Sequence, residues 1–158
     1  MTNITGDAAI LINRPAQEVW EYVVDPANLN TWVKDVDSPG SWIDDGGPGV
    51  GSHYRLDYSY GRKTNEIIFE VTAAAPGTRF STNTIKGPYP ISVDYAFSES
   101  ERESGTGEST ELTIVMDARS DSKFTAVLFM LTGWFAKSFM KKRLRSELSD
   151  LKQAIESR

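Results

Sequence analysis

The C-terminal stretch constrains the fold most tightly. From Ser120 to about Ser157 there is no proline, helix-forming residues dominate, and Ser120 or Asp121 can act as the cap, so the stretch reads as one helix. At about 1.5 Å per residue it would run roughly 55 Å. The chain has 158 residues, and a compact domain of that size is only about 40 Å across, from a radius of gyration of about 15 Å. The helix must therefore overhang, kink or break, and Gly133 is the least costly place to do so.

Its faces do not follow one stripe. At about 100° per residue, Met130, Met140, Leu144, Leu148, Leu151 and Ile155 align, joined in the first half by the small residues Ala126 and Gly133. Nearly opposite lie Phe124, Val127, Leu128, Leu131, Trp134, Phe135 and Phe139, and this second stripe ends where Lys142, Arg145, Ser149, Lys152 and Gln153 take over. The second half is thus ordinarily amphipathic and the first is apolar almost all round. A kink that buries a different face in each half would explain this. So would small residues that leave room for a ligand, with the ring-rich side turned to a dimer partner or to lipid. Which face of the first half points inward stays open. The basic residues Lys137, Lys141, Lys142, Arg143 and Arg145 follow; they read as a solvated face or, beside an apolar stretch, as a transient contact with an anionic membrane surface.

Upstream the period is two. A first strand over 7–13 carries Ala8, Ile10 and Ile12, and a short helix Ala16–Val24 follows Pro15 with Val19, Trp20 and Val23 on one side. Asp25-Pro26 starts a second short helix reaching about Trp32, capped by Asp25. After the Gly/Pro-rich 44–51, the tyrosines 54, 58 and 60 and Leu56 alternate with His53, Arg55, Asp57 and Ser59, so one face of this strand is aromatic. Its partner carries Ile67, Phe69 and Val71; further strands run over 79–85, over Ile91, Val93, Tyr95 and Phe97, and over Leu112, Ile114 and Met116. Gly61-Arg62, Pro76-Gly77 and Gly87-Pro88 are the turns, and the polar 98–109 reads as a hairpin loop. Strands joined by such short turns make an antiparallel, strongly curved sheet. With no repeat and no linker, 1–158 reads as one domain.

Composition excludes several chemistries. Cysteine is absent and His53 is the single histidine, so disulfides, thiolate zinc sites, a Cys nucleophile and a His–His metal pair are all excluded. The formal charge of −5 argues against a nucleic-acid partner. The N-terminus lacks a basic segment before an apolar run, and the apolar stretch 124–136 is too short to span a bilayer, so the expected location is the cytoplasm. Gly49-Val50-Gly51 precedes a strand with no helix after it and is not a nucleotide loop, so no cofactor is expected. His53, Arg55 and Asp57 form a polar ladder opposite the tyrosines; Glu66, Glu70, Asp94 and Asp117 fall out of phase with the apolar strand positions. The polar groups in phase with the core are Tyr54, Tyr58 and Tyr95, with Tyr60 near a strand end and Asn65 beside Ile67. Such hydroxyls either pack and bond within the core or converge on an oxygenated hydrophobic ligand.

The run Ile12-x-x-Pro15-x-x-x-Val19-Trp20-x-x-Val23-x-Asp25-Pro26-x-Asn28-x-x-x-Trp32 resembles the N-terminal signature of the SRPBCC superfamily, which includes START, Bet v 1-like and polyketide cyclase/dehydratase proteins. Gly49-x-Gly51-x-x-Tyr54 and the long C-terminal helix are also similar to that pattern. The resemblance covers essentially the whole chain. It implies an α+β helix-grip fold: a curved antiparallel sheet of six or seven strands around the long helix, with two short helices closing one end and a deep cavity between sheet and helix.

Three functions follow. The first is binding or transport of a small hydrophobic molecule, lipid- or polyketide-like, in a cavity lined by Tyr54, Tyr58, Phe69, Tyr95, Phe97, Met116, Leu128 and Leu131. The second is a cyclase/dehydratase-type enzyme on an aromatic substrate, which requires a buried His or carboxylate facing the chamber. No catalytic residue carries over from the family. The third is a structural partner without a cavity, which uses the rings of 124–139 as a homodimer interface.

Overall fold

The computed structural model describes residues 2–45, 47–60, 63–87, 90–102, 105, 107–120 and 123–158, with side chains described for these except 2–4, 60, 119–120 and 123–139. In chain order the elements are β1 (Thr2–Ile12), α1 (Ala16–Val24), a 3-10 helix (Pro26–Thr31), β2 (Ser41–Trp42), β3 (His53–Tyr60), β4 (Lys63–Ala75), β5 (Arg79–Lys86), β6 (Ile91–Glu101), β7 (Glu108–Ser120) and α2 (Lys123–Glu156). These seven strands join one sheet in the order β1-β7-β6-β5-β4-β3-β2. Every neighbouring pair is antiparallel. This open, curved sheet with a C-terminal helix is the helix-grip arrangement.

The start of the chain follows local rules. Pro15 occupies the N-cap of α1 and has no side chain to cap with. Glu99 of β6 accepts from the Ala16 N–H instead, at 3.3 Å. Asp25 caps the 3-10 helix through the Ala27 N–H at 3.0 Å. Val19, Trp20 and Val23 are buried as their spacing predicts. The Trp20 indole donates to Arg79 O at 3.1 Å, which ties α1 to the sheet.

Three boundaries differ from expectation, all because strand pairing extends further than side-chain pattern shows. β1 begins at Thr2, where it pairs with Ser120. Ser120 is therefore the end of a strand and not a helix cap; α2 begins at Lys123, and Asp121 lies outside the described residues. Half of the polar 98–109 is ladder, with Ser98 paired to Glu111 and Glu101 to Glu108. Its polarity marks a solvated hairpin, and between the strands Gly105 and Gly107 take φ of 73° and 95°. The two-residue strand β2 gives no sequence signal.

α2 is one continuous helix of 34 residues, unbroken at Gly133. In its second half the expected stripe is the buried one: Leu144, Leu148, Leu151 and Ile155 pack into a cluster with Ile12, Leu112 and Ile114. The helix lies close on β1. A Cβ placed on Gly6 would sit 2.7 Å from Met140 Sδ, so the missing side chain at Gly6 makes room for the helix.

Candidate functional site

The strands β3 to β6 build the aromatic wall by alternation. Tyr54 and Leu56, Ile67 and Phe69, Phe80 and Thr82, and Val93, Tyr95 and Phe97 are buried on one face. Tyr58 and Met116 are half-buried on the same phase. Tyr54 stacks on Phe69 with centroids 5.1 Å apart and 15° between planes. Trp42 meets Tyr54 edge-on at 5.5 Å. On the far side Phe80 tilts against Tyr95 at 5.9 Å, and Trp32, arriving just after the 3-10 helix, meets Tyr95 edge-on at 6.5 Å.

Six of the eight residues expected to line a cavity, Tyr54, Tyr58, Phe69, Tyr95, Phe97 and Met116, thus share the inner face of the sheet. Leu128 and Leu131 fall in the part of α2 whose side chains lie outside those described. So do the rings of 124–139, on which the dimer and membrane expectations rest. Asn65 is half-buried opposite Tyr58 in the β3–β4 ladder.

Two polar atoms at this face lack a partner among the described residues. Burial pushes the Tyr54 hydroxyl above its ordinary range; it is turned to Thr82 Oγ1. The pair falls short of hydrogen-bond geometry, and Thr82 Oγ1 has no partner among the described residues although Thr82 is only 1% exposed. Trp32 Nε1 is likewise without a partner in a residue 4% exposed. A buried donor left unmade costs about 1–3 kcal/mol. Burial raises the Tyr95 hydroxyl well above the ordinary range too, reinforced by Tyr54 and by Glu147.

Glu147 is the residue that sequence reasoning missed. It is 5% exposed, and its Oε2 accepts from the Lys34 N–H at 2.8 Å. Burial raises its pKa, against the opposing pull of that N–H and of Arg143. Arg143 Nε stands 3.8 Å from Glu147 Oε1. The Arg143 guanidinium also donates to Lys34 O at 3.0 Å and to Asp35 Oδ2 at 2.9 Å, and lies 5.7 Å from the centre of the Tyr58 ring. Asp35 sits at φ 68°, an uncommon conformation for a side-chain-bearing residue. Together Glu147 and Arg143 clamp the segment after the 3-10 helix to α2. Arg143 is therefore not part of a free basic face, whereas Lys141, Lys142 and Arg145 are exposed. The missed signal was spacing: Glu147 lies in the stripe of Leu144, Leu148 and Leu151, and Thr82 is in phase with Phe80.

The opposite face of the sheet holds the other titratable candidates in polar contacts, some of them ion pairs. His53 Nδ1 is 3.0 Å from Asp44 and its Nε2 is 3.8 Å from Glu70. Glu66 pairs with Lys86 at 2.9 Å and Arg55 at 3.6 Å. Asp94 accepts from Ser81 and Arg79, and Asp117 from Thr5 at 3.0 Å. Among the described residues no group of three or more His, Asp or Glu side chains could hold a metal ion. Nor is any helix, over the described residues, long and apolar enough to cross a membrane.

A family model described as polyketide cyclase / dehydrase and lipid transport matches residues 3–156. Among solved structures, a START superfamily protein from Mycobacterium smegmatis superposes with TM-score 0.74 at 15% identity, covering 97% of each chain. A protein from Thermus thermophilus gives the same TM-score, 0.74, with 15% identity and 97% coverage of both chains. Ara h 8.0201 gives TM-score 0.59 at 12% identity over 99% of this chain and 100% of its own. No curated protein sequence matches the chain.

Proposed function

The chain belongs to the polyketide cyclase / dehydrase and lipid transport family, and from that premise we propose that it binds a small hydrophobic molecule, lipid- or polyketide-like, between the sheet and α2. The observation that carries this reading is the aromatic inner face with polar atoms left unpaired within it. Rings give a ligand apolar area to bury, at about 25 cal/mol per Å². A few convergent polar groups orient it, which is the usual composition of a small-molecule site. Tyr54, Tyr58, Phe69, Tyr95, Phe97 and Met116 would line the site together with Leu128 and Leu131.

Native mass spectrometry of protein purified from its own host tests the reading. A co-purifying apolar ligand of defined mass is expected, released on denaturation. Protein that is always empty and gains no stability from any hydrophobic additive would defeat it.

One observation favours an enzyme. A cyclase/dehydratase needs a buried acid or base, and Glu147 is a buried carboxylate with a raised pKa. Its oxygens face Lys34 N–H and Arg143, however, and those contacts suit a clamp better than proton transfer. Turnover of an aromatic ketone substrate that E147Q abolishes without loss of folding would reverse this preference.

A further inference from the structure

Trp32 Nε1 and Thr82 Oγ1 are both buried, and neither has a hydrogen-bond partner among the described residues. More than nine in ten buried polar groups in folded proteins are paired, so two unpaired groups in one cluster call for a cause. They belong to one cluster because two neighbouring tyrosines link them. Trp32 packs edge-on against Tyr95, Tyr95 and Tyr54 lie within electrostatic reach of each other, and Tyr54 is turned to Thr82.

We propose that Trp32, Thr82, Tyr54 and Tyr95 form the polar end of the ligand site, and that this end selects a neutral apolar molecule bearing a carbonyl or similar acceptor oxygen over one bearing a carboxylate. The inference rests on the ligand-binding reading above and adds the chemistry of the ligand's polar group. An indole N–H can only donate, so its partner must be an acceptor. The hydroxyls beside it donate as readily as they accept, and can complete the shell of one carbonyl oxygen.

Charge is disfavoured for a separate reason. Arg143, which stands beside Tyr58 and Glu147, is already committed to Lys34 O, Asp35 and Glu147, and the Lys34 side chain is exposed. The Glu147 carboxyl stands within electrostatic reach of Tyr95. A carboxylate head group would lose its water, find Arg143 already engaged and meet a second acid. A carbonyl incurs none of these costs.

Titration calorimetry of the full chain at neutral pH tests this with matched probes: one naphthalene position carrying ethyl, acetyl or carboxylate, and a decyl chain ending in methyl, methyl ketone or carboxylate. On at least one scaffold the ketone should bind about tenfold more tightly than the hydrocarbon, as one well-made hydrogen bond would give. The carboxylate should bind most weakly. T82V should lower the ketone preference several-fold, and W32F with T82V should erase it. T82V is nearly isosteric and keeps the test decisive if W32F misfolds. Equal affinity for ketone and hydrocarbon in the native protein would overturn the inference and leave ligand binding standing. A ketone preference that survives in T82V and the double variant would overturn it too. If no probe on either scaffold binds, the ligand-binding reading falls and takes this inference with it.

Discussion

The two sides of the inner face use the same sheet to opposite ends. Beneath the second half of α2, Ile12, Leu112 and Ile114 close against Leu144, Leu148, Leu151 and Ile155. The buried hydroxyl on that side is answered: Thr110 Oγ1 donates to Arg14 O at 2.8 Å. Across the sheet, Thr82 and Trp32 are as deeply buried and unanswered. One side is built for stability, since its apolar groups close-pack and its buried hydroxyl has a partner within the chain. The other keeps polar capacity unused in an apolar setting, which lowers stability and suits recognition.

The largest expected effect falls on the saturated side. L148A or L151A should cost about 3 kcal/mol by denaturant unfolding, because a close-packed site cannot collapse around the lost methyls. A loss under about 1 kcal/mol would mean that this side is loosely packed as well, and the contrast would dissolve. E147A comes next, at about 2 kcal/mol, since it strips the Lys34 N–H and Arg143 of a buried charged acceptor. Unchanged stability in E147A would remove the clamp from the account.

Glu147 also carries a pH signature of definite sign. Its folded pKa is raised, chiefly by burial. At low pH the carboxyl is protonated in both states. As pH climbs through the ordinary carboxylate range, the unfolded chain releases its proton first and the folded protein holds on, so stability falls until the raised folded value is passed. Subtracting the E147Q profile removes the contributions of other carboxylates. That difference should decline across the window and then level off; a flat difference would refute the burial argument.

Smaller effects probe the unpaired side directly. T82V removes an orphaned hydroxyl and should stabilise the ligand-free protein by about 1 kcal/mol, measured by thermal unfolding. Destabilisation by that amount would show that the hydroxyl is satisfied after all. Y54F should be smallest, within about 0.5 kcal/mol, because the contact of its hydroxyl with Thr82 falls short of hydrogen-bond geometry.

Much of this was legible in sequence because backbone pattern is local. Alternation at 54, 56 and 58 and at 93, 95 and 97 located the aromatic face, and Leu144, Leu148, Leu151 and Ile155 located the packed stripe. The site's polar end was not legible. Thr82 belongs to a strand with few apolar residues, so its phase carried little weight. Glu147 looked like one more charge on a polar helix. Its burial comes from Lys34 and Asp35, more than a hundred residues away in the chain, folding over it.

What the sequence alone determined is which residues share a face, since side-chain direction follows from the roughly 2.0 and 3.6 residue periods of strand and helix. The family frame came by resemblance instead, since the run with Pro15, Trp20, Asp25-Pro26 and Trp32 is similar to the family's N-terminal signature. Only the tertiary structure decided which polar groups on those faces find partners. Pairing depends on distances between segments remote in the chain, and no local period encodes them. Thr110 and Thr82 are both buried threonines in strands; Arg14 answers one, and nothing in the described chain answers the other.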